Sequence, residues 1–275
     1  MLVYGMLLML PASSQVPSIP FYQNQSVANI AHGTGRELLP GNTLEGALNA
    51  VAVGADIIEL DVHLTFDNVV VVRHDASVDA TTDGVGLIAD LTLAELQAFN
   101  VGFHESDYPL KLADAGIRIP TLESLFSALP DERFLIELKP DDTETGVQLC
   151  QLVLAYGLQH QVLVGSFHSS VLRDFRQMCP QVPTSLGEEE ARIFVLLSWL
   201  GLGHLYKAPG YSVQLPDKYY GLSLISRPLI SAANELNLAV DVWTINDSEK
   251  MLELLELGVD GIITDRPDLL HAIDM

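Results

Sequence analysis

An α/β barrel of the (β/α)8 or TIM type is the fold class that this sequence predicts. After residue 27, short runs rich in β-branched residues alternate with amphipathic helical patterns. This alternation favours a parallel sheet whose strands are joined by crossover helices. The chain has 275 residues, and a single barrel typically needs ~250 residues. A closed barrel therefore fits the length better than an open, doubly wound sheet.

Nine apolar runs predict the strands. Two of them, Asp56–Leu64 and Val69–His74, are separated only by a turn at Phe66-Asp-Asn, and we interpret them as one strand that continues beyond the turn. Eight barrel strands then remain. The predicted runs are Val27–His32, Asp56–Leu64, Val69–His74, Arg133–Lys139, Val162–Phe167, Val182–Leu186, Ser212–Leu215, Leu238–Ile245 and Gly261–Thr264.

The stretches between the strands carry apolar residues at helical spacing. A loop and helix insertion around residues 75–120 interrupts the alternation with a short helix, Leu91–Phe99, capped by Thr92, and a second helix, Leu122–Leu129, capped by Thr121, follows it. An excursion of this length after a barrel strand belongs on the catalytic face, where loops build the site. The other predicted helices are Thr43–Val53, Glu144–Tyr156, Ser170–Cys179, Glu188–Leu200, Arg227–Leu236, Ser248–Leu257 and Pro267–Ile273.

The first 26 residues are predicted to form an apolar segment and a linker, and residues 27–275 to form the barrel domain. Met1–Leu10 is apolar throughout, but it is shorter than the ~20 residues that span a bilayer, and it lacks the basic start of a complete secretion signal. If this segment is the remnant of a signal or anchor helix, we expect a membrane-associated or periplasmic protein. If it is instead a short helix packed on the domain, we expect a cytoplasmic protein.

The balance of charge limits the classes of partner. The chain carries 36 acidic and 14 basic residues, a formal charge of −22. Such a field repels nucleic acids and anionic lipid headgroups, whose phosphates need Lys and Arg to displace their counterions. We therefore expect no nucleic-acid partner. An anionic substrate would need a local reversal of the field, which a bound divalent cation can supply.

The two cysteines, Cys150 and Cys179, are 29 residues apart and form no metal-binding motif. Each falls in or at the end of a predicted helix, where a free cysteine is usually a small buried apolar residue. We therefore expect them to be structural and to say little about the compartment.

Acidic residues point to one face of two predicted strands. In Ile57-Ile-Glu-Leu-Asp-Val-His-Leu the alternation places Glu59, Asp61 and His63 on the same face, and Glu137 shares a face with Lys139 on the next strand. Carboxylates inside a barrel are unfavourable unless they are paired or bind a cation. Three of them favour one divalent cation, Mg²⁺ or Ca²⁺. The alternative is a set of buried ion pairs with Lys139 and an arginine.

Two histidines flank the carboxylate strand. His32 ends the first predicted strand, and His74 follows the apolar run after the turn. Imidazole groups donate and accept protons near neutral pH, so the pair is a candidate for acid–base catalysis. His63 is expected to support the site or to belong to the core.

Several motifs carry a resemblance to a known family. Taken together and in this order, they resemble the glycerophosphodiester phosphodiesterases over roughly residues 27–270. The motifs are Ala31-His-Gly, Pro40-Gly-Asn-Thr-Leu, Glu59-Leu-Asp-Val-His-Leu-Thr, Val72-Arg-His-Asp, Thr81-Thr-Asp-Gly, Asp90-Leu-Thr-Leu-Ala-Glu-Leu, Ile119-Pro-Thr-Leu, Ile136-Glu-Leu-Lys, Val242-Trp-Thr-Ile-Asn and Gly258-Val-Asp-Gly-Ile-Ile-Thr-Asp-Arg-Pro.

The resemblance implies a (β/α)8 barrel that hydrolyses glycerophosphodiesters to an alcohol and glycerol 3-phosphate with one divalent cation. It implies that Lys139 contacts the phosphate. The implied catalytic pair is His32 and His74, and the implied metal ligands are Glu59, Asp61 and Glu137.

The chain departs from the family pattern at two positions. Gly33 stands where the family usually has a phosphate-binding arginine, and Gly41 stands where it has a glutamate. Arg36, further along the same loop, is the candidate replacement. Without it, the loss of a bidentate contact would weaken phosphate binding by ~1.5–3 kcal/mol. A degenerate member that binds phosphodiesters with little activity is therefore one alternative function.

An apolar stretch at 195–206, followed by another at 219–225, has two interpretations. It is either an outer barrel helix packed inward or an apolar surface near the mouth of the site. The second interpretation predicts a lysolipid substrate, a lysophospholipase D activity, and peripheral or anchored membrane contact. Trp243 is predicted to be either a core residue or an apolar wall for the substrate.

Overall fold

Parallel strands form the centre of the molecule. The computed structural model describes residues 2–22, 27–101 and 116–274. Strand Gly261–Thr264 has the predicted bounds, and most others differ from them by one or two residues. The strands are β1 Ala28–Ala31, β2 Ile57–Leu64, β3 Val70–Val72, β4 Arg133–Leu138, β5 Val162–Gly165, β6 Ser212–Pro216, β7 Lys218–Tyr219, β8 Leu222–Ser223, β9 Ala239–Trp243 and β10 Gly261–Thr264.

The main sheet curls into a barrel. Seven parallel strands pair in the order β5-β4-β2-β1-β10-β9-β6. The two ends are joined through Thr184, which bridges Val164 of β5, and Ser185, which bridges Ser212 of β6. The predicted strand at 182–186 is therefore in the right place, but it forms two isolated bridges instead of a regular ladder. With this segment as the eighth strand, the predicted TIM-type barrel is confirmed.

Helices cover the outside of the barrel. Their starts follow capping residues: Thr43, Thr121 and Asp247 each accept a hydrogen bond from a first-turn amide. The helices are α1 Leu2–Leu7, α2 Leu44–Ala52, α3 Leu93–Leu96, α4 Leu122–Ala128, α5 Glu144–Ala155, α6 Ser169–Met178, α7 Glu188–Trp199, α8 Arg227–Leu236, α9 Ser248–Leu257 and α10 Pro267–Asp274.

The region from β3 through the insertion differs from the prediction in two ways. Strand β3 turns back and pairs antiparallel with β2, so the two form a hairpin and not one continuing strand. The helix predicted at Leu91–Phe99 is the single turn α3, although Thr92 caps it as expected. Val71, Val78, Ile88, Leu96 and Ile119 form a small core under the insertion. Residues 102–115 of the predicted insertion lie outside the described part.

Aromatic residues close the amino-terminal end of the barrel. Phe21 is fully buried against Ile30 of β1 and Leu163 of β5. The Tyr22 hydroxyl donates a 2.6 Å hydrogen bond to Asp241 in β9. Because this end is plugged, an active site is expected at the opposite end, where the strands point their carboxyl ends.

The N-terminal segment packs on the barrel domain. The Tyr4 hydroxyl donates to the Leu200 carbonyl, and the Val16 amide donates to the Leu236 carbonyl. Among the described residues, no helix is both long and apolar enough to cross a membrane.

Cys150 and Cys179 are bonded to each other. Their Cα atoms lie 5.9 Å apart, and the disulfide joins α5 to the end of α6. The expectation of two unpaired buried cysteines was wrong, because the local sequence does not show that these two helices are neighbours.

Candidate active site

Three carboxylates meet at the carboxyl end of the barrel. Asp61 of β2 and Glu137 of β4 are partners in the parallel register, and Glu59 precedes Asp61 by one inward position. One oxygen from each lies within 4.8 Å of the others. Glu59 and Asp61 are almost fully buried, at 4% and 2% exposed. The strand alternation thus brings together the three predicted metal ligands.

The three carboxylates of this cluster carry more negative charge than the neighbouring Lys139 neutralises. Burial, and next the charge of Asp61, raises the pKa of Glu59 and of Glu137. Lys139 Nζ lies 3.2 Å from Glu137 and 3.5 Å from Asp61, so the alternative ion pairs also form. One ammonium does not balance three carboxylates. Buried, hard oxygen donors of this kind fit Mg²⁺ or Ca²⁺.

Two groups hold the acidic cluster in place. The Asn42 amide nitrogen donates to Asp61 Oδ2 at 2.9 Å, while its oxygen accepts from the Asp61 backbone amide. The Gly33 amide donates to Glu59. Asn42 has a φ of 59°, a left-handed conformation that asparagine tolerates better than most residues. Asn42 lies in the motif Pro40-Gly-Asn-Thr-Leu, but no local pattern there indicates that its side chain contacts Asp61.

His32 is oriented by a carboxylate from the last strand. Its Nδ1 lies 2.6 Å from Asp265 Oδ1, and Asn246 donates to the other oxygen of Asp265 at 2.7 Å. Burial acts to lower the pKa of His32, but Asp265 and then Glu59 outweigh it and raise that pKa. Asp265 lies in the motif that begins at Gly258, but no local pattern there indicates that it contacts His32.

His74 lies on the other side of the acidic cluster and is half exposed. Its Nδ1 is 2.7 Å from Asp75 Oδ1, and its Nε2 is 3.2 Å from Lys139 Nζ. A neutral ring with its proton on Nδ1 satisfies both contacts, because the ammonium donates to Nε2. His63 lies behind it, with Nε2 3.1 Å from the His74 carbonyl oxygen, which fits the predicted supporting role.

Arg36 reaches the site across two glycines. Its Nε lies 2.8 Å from Asp265 Oδ1, and its side chain lines the same pocket as His32. A Cβ added at Gly41 would lie 2.8 Å from the Arg36 Cβ, and one added at Gly33 would lie 3.5 Å from its Cδ. The glycine at 41 therefore leaves room for the path that Arg36 takes.

A pocket of about 660 Å³ opens over these groups. The acidic cluster, both histidines, Lys139 and Arg36 lie on one side. Much of the rest is lined by apolar residues, namely Leu196 and Trp199 of α7, Leu215, Leu224 and Trp243, with a few polar and charged ones between them, namely Ser166, Glu188, Arg192, Gln214 and Thr244. Trp243 is partly exposed, and its ring centroid lies 5.9 Å from that of Phe167. Trp243 lines the pocket and also packs against the buried cluster that includes Phe21, so its position fits both of the predicted roles.

Comparison with known proteins decides the family. Residues 32–269 match the model of the glycerophosphoryl diester phosphodiesterase family. The chain belongs to this family. Its members are phosphodiesterases, so the predicted enzyme class, a phosphoric diester hydrolase, is confirmed.

The similarity extends over the whole barrel. A glycerophosphodiester phosphodiesterase from Caldanaerobacter subterraneus is 30% identical over 251 residues, covering 88% of this chain and 95% of the relative. A lysophospholipase D from Rattus norvegicus is 25% identical over 267 residues, covering 87% of this chain and 83% of the relative. An Oleispira antarctica phosphodiesterase, solved with sn-glycerol-3-phosphate, matches in structure with a TM-score of 0.74 at 23% identity, covering 94% of this chain and 100% of that one.

Proposed function

We propose that this member of the family hydrolyses glycerophosphodiesters to an alcohol and glycerol 3-phosphate with the help of one divalent cation. The observation that carries the proposal is the meeting of His32, His74 and three carboxylates in one pocket. The Caldanaerobacter relative bears the name of this activity, and the Oleispira neighbour was solved with the corresponding product.

Positive groups bind the phosphodiester. Glu59, Asp61 and Glu137 are the residues that would hold Mg²⁺ or Ca²⁺. When bound, the cation neutralises negative charge on the phosphate oxygens and on the transition state. Lys139 and Arg36 line the same pocket and supply further positive charge for the phosphate.

The two histidines move the protons. One removes the proton from the attacking oxygen, and the other protonates the departing alcohol. The attacking oxygen comes from water or from the neighbouring hydroxyl of the substrate itself, which would give a cyclic phosphate first. The hydrogen bond to Asp265 raises the pKa of His32 above that of a free imidazole, so the ring holds its proton more firmly than a free imidazole does.

Hydrolysis of glycerophosphocholine tests the proposal. His32→Ala and His74→Ala should each abolish it, and EDTA should abolish it reversibly, with recovery on addition of Mg²⁺ or Ca²⁺. His160→Ala, which replaces an exposed loop histidine, is the matched control and should leave the rate unchanged. Full activity of either site variant would refute the two-histidine mechanism. Tight substrate binding without product release would instead identify a degenerate, binding-only member.

Lysophospholipids are a second candidate substrate class, favoured by one observation. Leu196 and Trp199, which are 55% and 51% exposed, line one side of the pocket beside the buried Leu224. An acyl chain would fit such a wall, and the rat relative is named a lysophospholipase D. Comparing kcat/KM for glycerophosphocholine and lysophosphatidylcholine separates the two activities.

An oxidising compartment is the proposed location. The disulfide between Cys150 and Cys179 supports it, since such bonds persist mainly in exported or periplasmic proteins. Fractionation of cells that express the full chain, followed by thiol labelling under native conditions, tests the proposal. Recovery of a cytoplasmic protein with two free thiols would overturn it.

A further inference from the structure

Large apolar side chains are exposed together around one side of the pocket mouth. They come from α1 and the turn after it, from the outer side of α7, and from the β7–β8 hairpin. We call this surface the acid-free face. Its exposed members are Tyr4, Met6, Leu8, Met9, Leu10, Ile193, Leu196, Trp199, Leu200, Tyr219, Tyr220 and Leu222.

The three segments adjoin one another. The Tyr4 hydroxyl of α1 bonds to the Leu200 carbonyl at the end of α7. Trp199 of α7 and Tyr219 of the hairpin both line the mouth of the pocket. The Tyr219 and Tyr220 rings pack edge to face, with centroids 4.6 Å apart. The exposed side chains are therefore neighbours on one surface, and that surface is continuous with the active site.

The acid-free face differs from the rest of the molecule in its charge. The chain has 36 acidic residues, yet none precedes Glu37, none lies between Glu190 and Asp217, and none lies between Asp217 and Glu235. The few charges in these segments are basic, such as Lys218 and Arg192, and Arg192 is paired with Glu188 in the first turn of α7. An exposed apolar surface whose acidic neighbours lie only at its edge, in the first turn of α7 and at Asp217, on a chain of net charge −22, indicates a partner that is apolar beneath a polar layer and has no net negative charge.

We propose that the acid-free face docks on a zwitterionic phospholipid surface, such as phosphatidylcholine, and so places the pocket mouth against the lipid headgroups. Tyr and Trp rings suit this position, because one end of each side chain is apolar and the other can remain hydrated. An anionic membrane is disfavoured because the face has few basic residues and the overall field is negative. The inference deepens the proposed function and rests on it only for the reaction that is measured.

Co-sedimentation with vesicles tests the docking without any substrate. The full chain should bind phosphatidylcholine vesicles and bind phosphatidylglycerol vesicles much less. Met9 and Tyr220 are 89% and 90% exposed, and neither lines the pocket. The double variant Met9→Ser/Tyr220→Ser should lower the partition onto phosphatidylcholine about tenfold. The control Leu154→Ser/Leu252→Ser changes two exposed leucines on α5 and α9 and should bind like the parent.

Activity distinguishes failure of the docking from failure of the proposed function. Met9→Ser/Tyr220→Ser should hydrolyse soluble glycerophosphocholine at the parental rate, but hydrolyse lysophosphatidylcholine embedded in phosphatidylcholine vesicles about tenfold more slowly. Inactivity of the parent on both substrates overturns the proposed function. The co-sedimentation result would still test the docking proposal, because it needs no catalytic activity.

Two results would overturn the docking proposal. One is equal partition of the parent and the double variant onto phosphatidylcholine. The other is a parent that does not bind vesicles and forms a dimer in sedimentation analysis, with the dimer lost in the double variant. In that case a second copy of the chain covers the acid-free face.

Discussion

His32 and Asp265 are held 2.6 Å apart, Nδ1 to Oδ1, by segments 233 positions apart in the chain. The contact fixes which nitrogen of the His32 ring can face the pocket. We expect Asp265→Ala to lower kcat by on the order of 10²-fold, because a general acid or base that is no longer oriented loses most of its effect. Steady-state kinetics on glycerophosphocholine measure the change.

The control for this prediction is Asp268→Ala. Asp268 pairs with Arg266 at the start of α10 and touches no pocket residue in the described contacts. Asp265→Asn keeps a hydrogen-bond acceptor but loses the charge, so it should retain more activity than Asp265→Ala and shift the pH profile. Equal kcat for Asp265→Ala and the parent would contradict the positioning role.

Asn42 should determine how strongly the acidic cluster binds its cation. Asn42→Gly removes both side-chain hydrogen bonds to Asp61 but tolerates the positive φ. We expect the cation concentration for half-maximal activity to rise about 10–100-fold, as for other losses of groups that orient metal ligands. Metal titrations of the EDTA-treated enzyme measure it. Asn237→Gly, which also has a positive φ but lies far along the chain at the end of α8, should titrate like the parent.

Gly41 should be needed for the position of Arg36. Gly41→Ala places a Cβ 2.8 Å from the Arg36 Cβ and 3.2 Å from the Gly33 carbonyl oxygen, so Arg36 must move. We expect KM for glycerophosphocholine to rise about tenfold or more, the range for loss of a charge-assisted contact. Arg36→Ala should show a similar rise, and adding Gly41→Ala to it should have little further effect. Additive effects of the two changes would mean that Gly41 acts through another group.

Asp241 should make stability fall with rising pH. Burial raises its pKa from 3.8 to about 7, and the charge of Asp260 acts in the same direction, while the hydrogen bond from Tyr22 acts to lower it. Between pH 4 and pH 7 the folded protein retains a proton that the unfolded chain loses, so the free energy of unfolding decreases over this range.

Asp241→Asn removes this dependence, since asparagine does not titrate. Relative to the parent, the variant should gain on the order of 2–4 kcal/mol between pH 4.5 and pH 8. Urea unfolding at several pH values measures both proteins, and the other titrating groups cancel in the comparison. Parallel pH profiles for the two would show that Asp241 is ionised in the folded barrel at neutral pH.

The disulfide should stabilise the barrel by limiting the unfolded chain. Its two cysteines are separated by 29 positions, for which loop closure corresponds to about 3–4 kcal/mol. The double variant Cys150→Ala/Cys179→Ala should therefore unfold at lower urea. Dithiothreitol should destabilise the parent by a similar amount and leave the double variant unchanged, which separates the bond from the effect of the missing sulfur atoms.

Local patterns were sufficient for the regular part of the fold. Helices Arg227–Leu236 and Ser248–Leu257 have the predicted bounds, because a positive-φ residue, Asn237 or Gly258, ends each. Strand alternation was also sufficient for the three carboxylates. It could not give the direction of β3, although the turn residue Asn68, with a φ of 60°, is typical of a tight hairpin.

Contacts between segments that lie far apart in the chain could not be predicted from the sequence patterns. The Asp265 carboxylate reaches His32 only because β10 and β1 are neighbours in the closed barrel. Cys150 forms a disulfide with Cys179 only because α5 packs beside α6. Neither adjacency leaves a periodic signal near the residues involved, so physical reasoning from one sequence cannot select these partners.

The barrel is not equally strong around its circumference. Six residue pairs align β2 with β4, whereas the segment at 184–185 is joined to β5 and β6 by one bridge on each side. Local opening begins where the fewest hydrogen bonds must break. The amides of Ser185 and Leu186 should therefore exchange with deuterium sooner than those of Leu60 or Val62. Under mechanical load, the barrel should open first at this seam, in the segment that leads into α7.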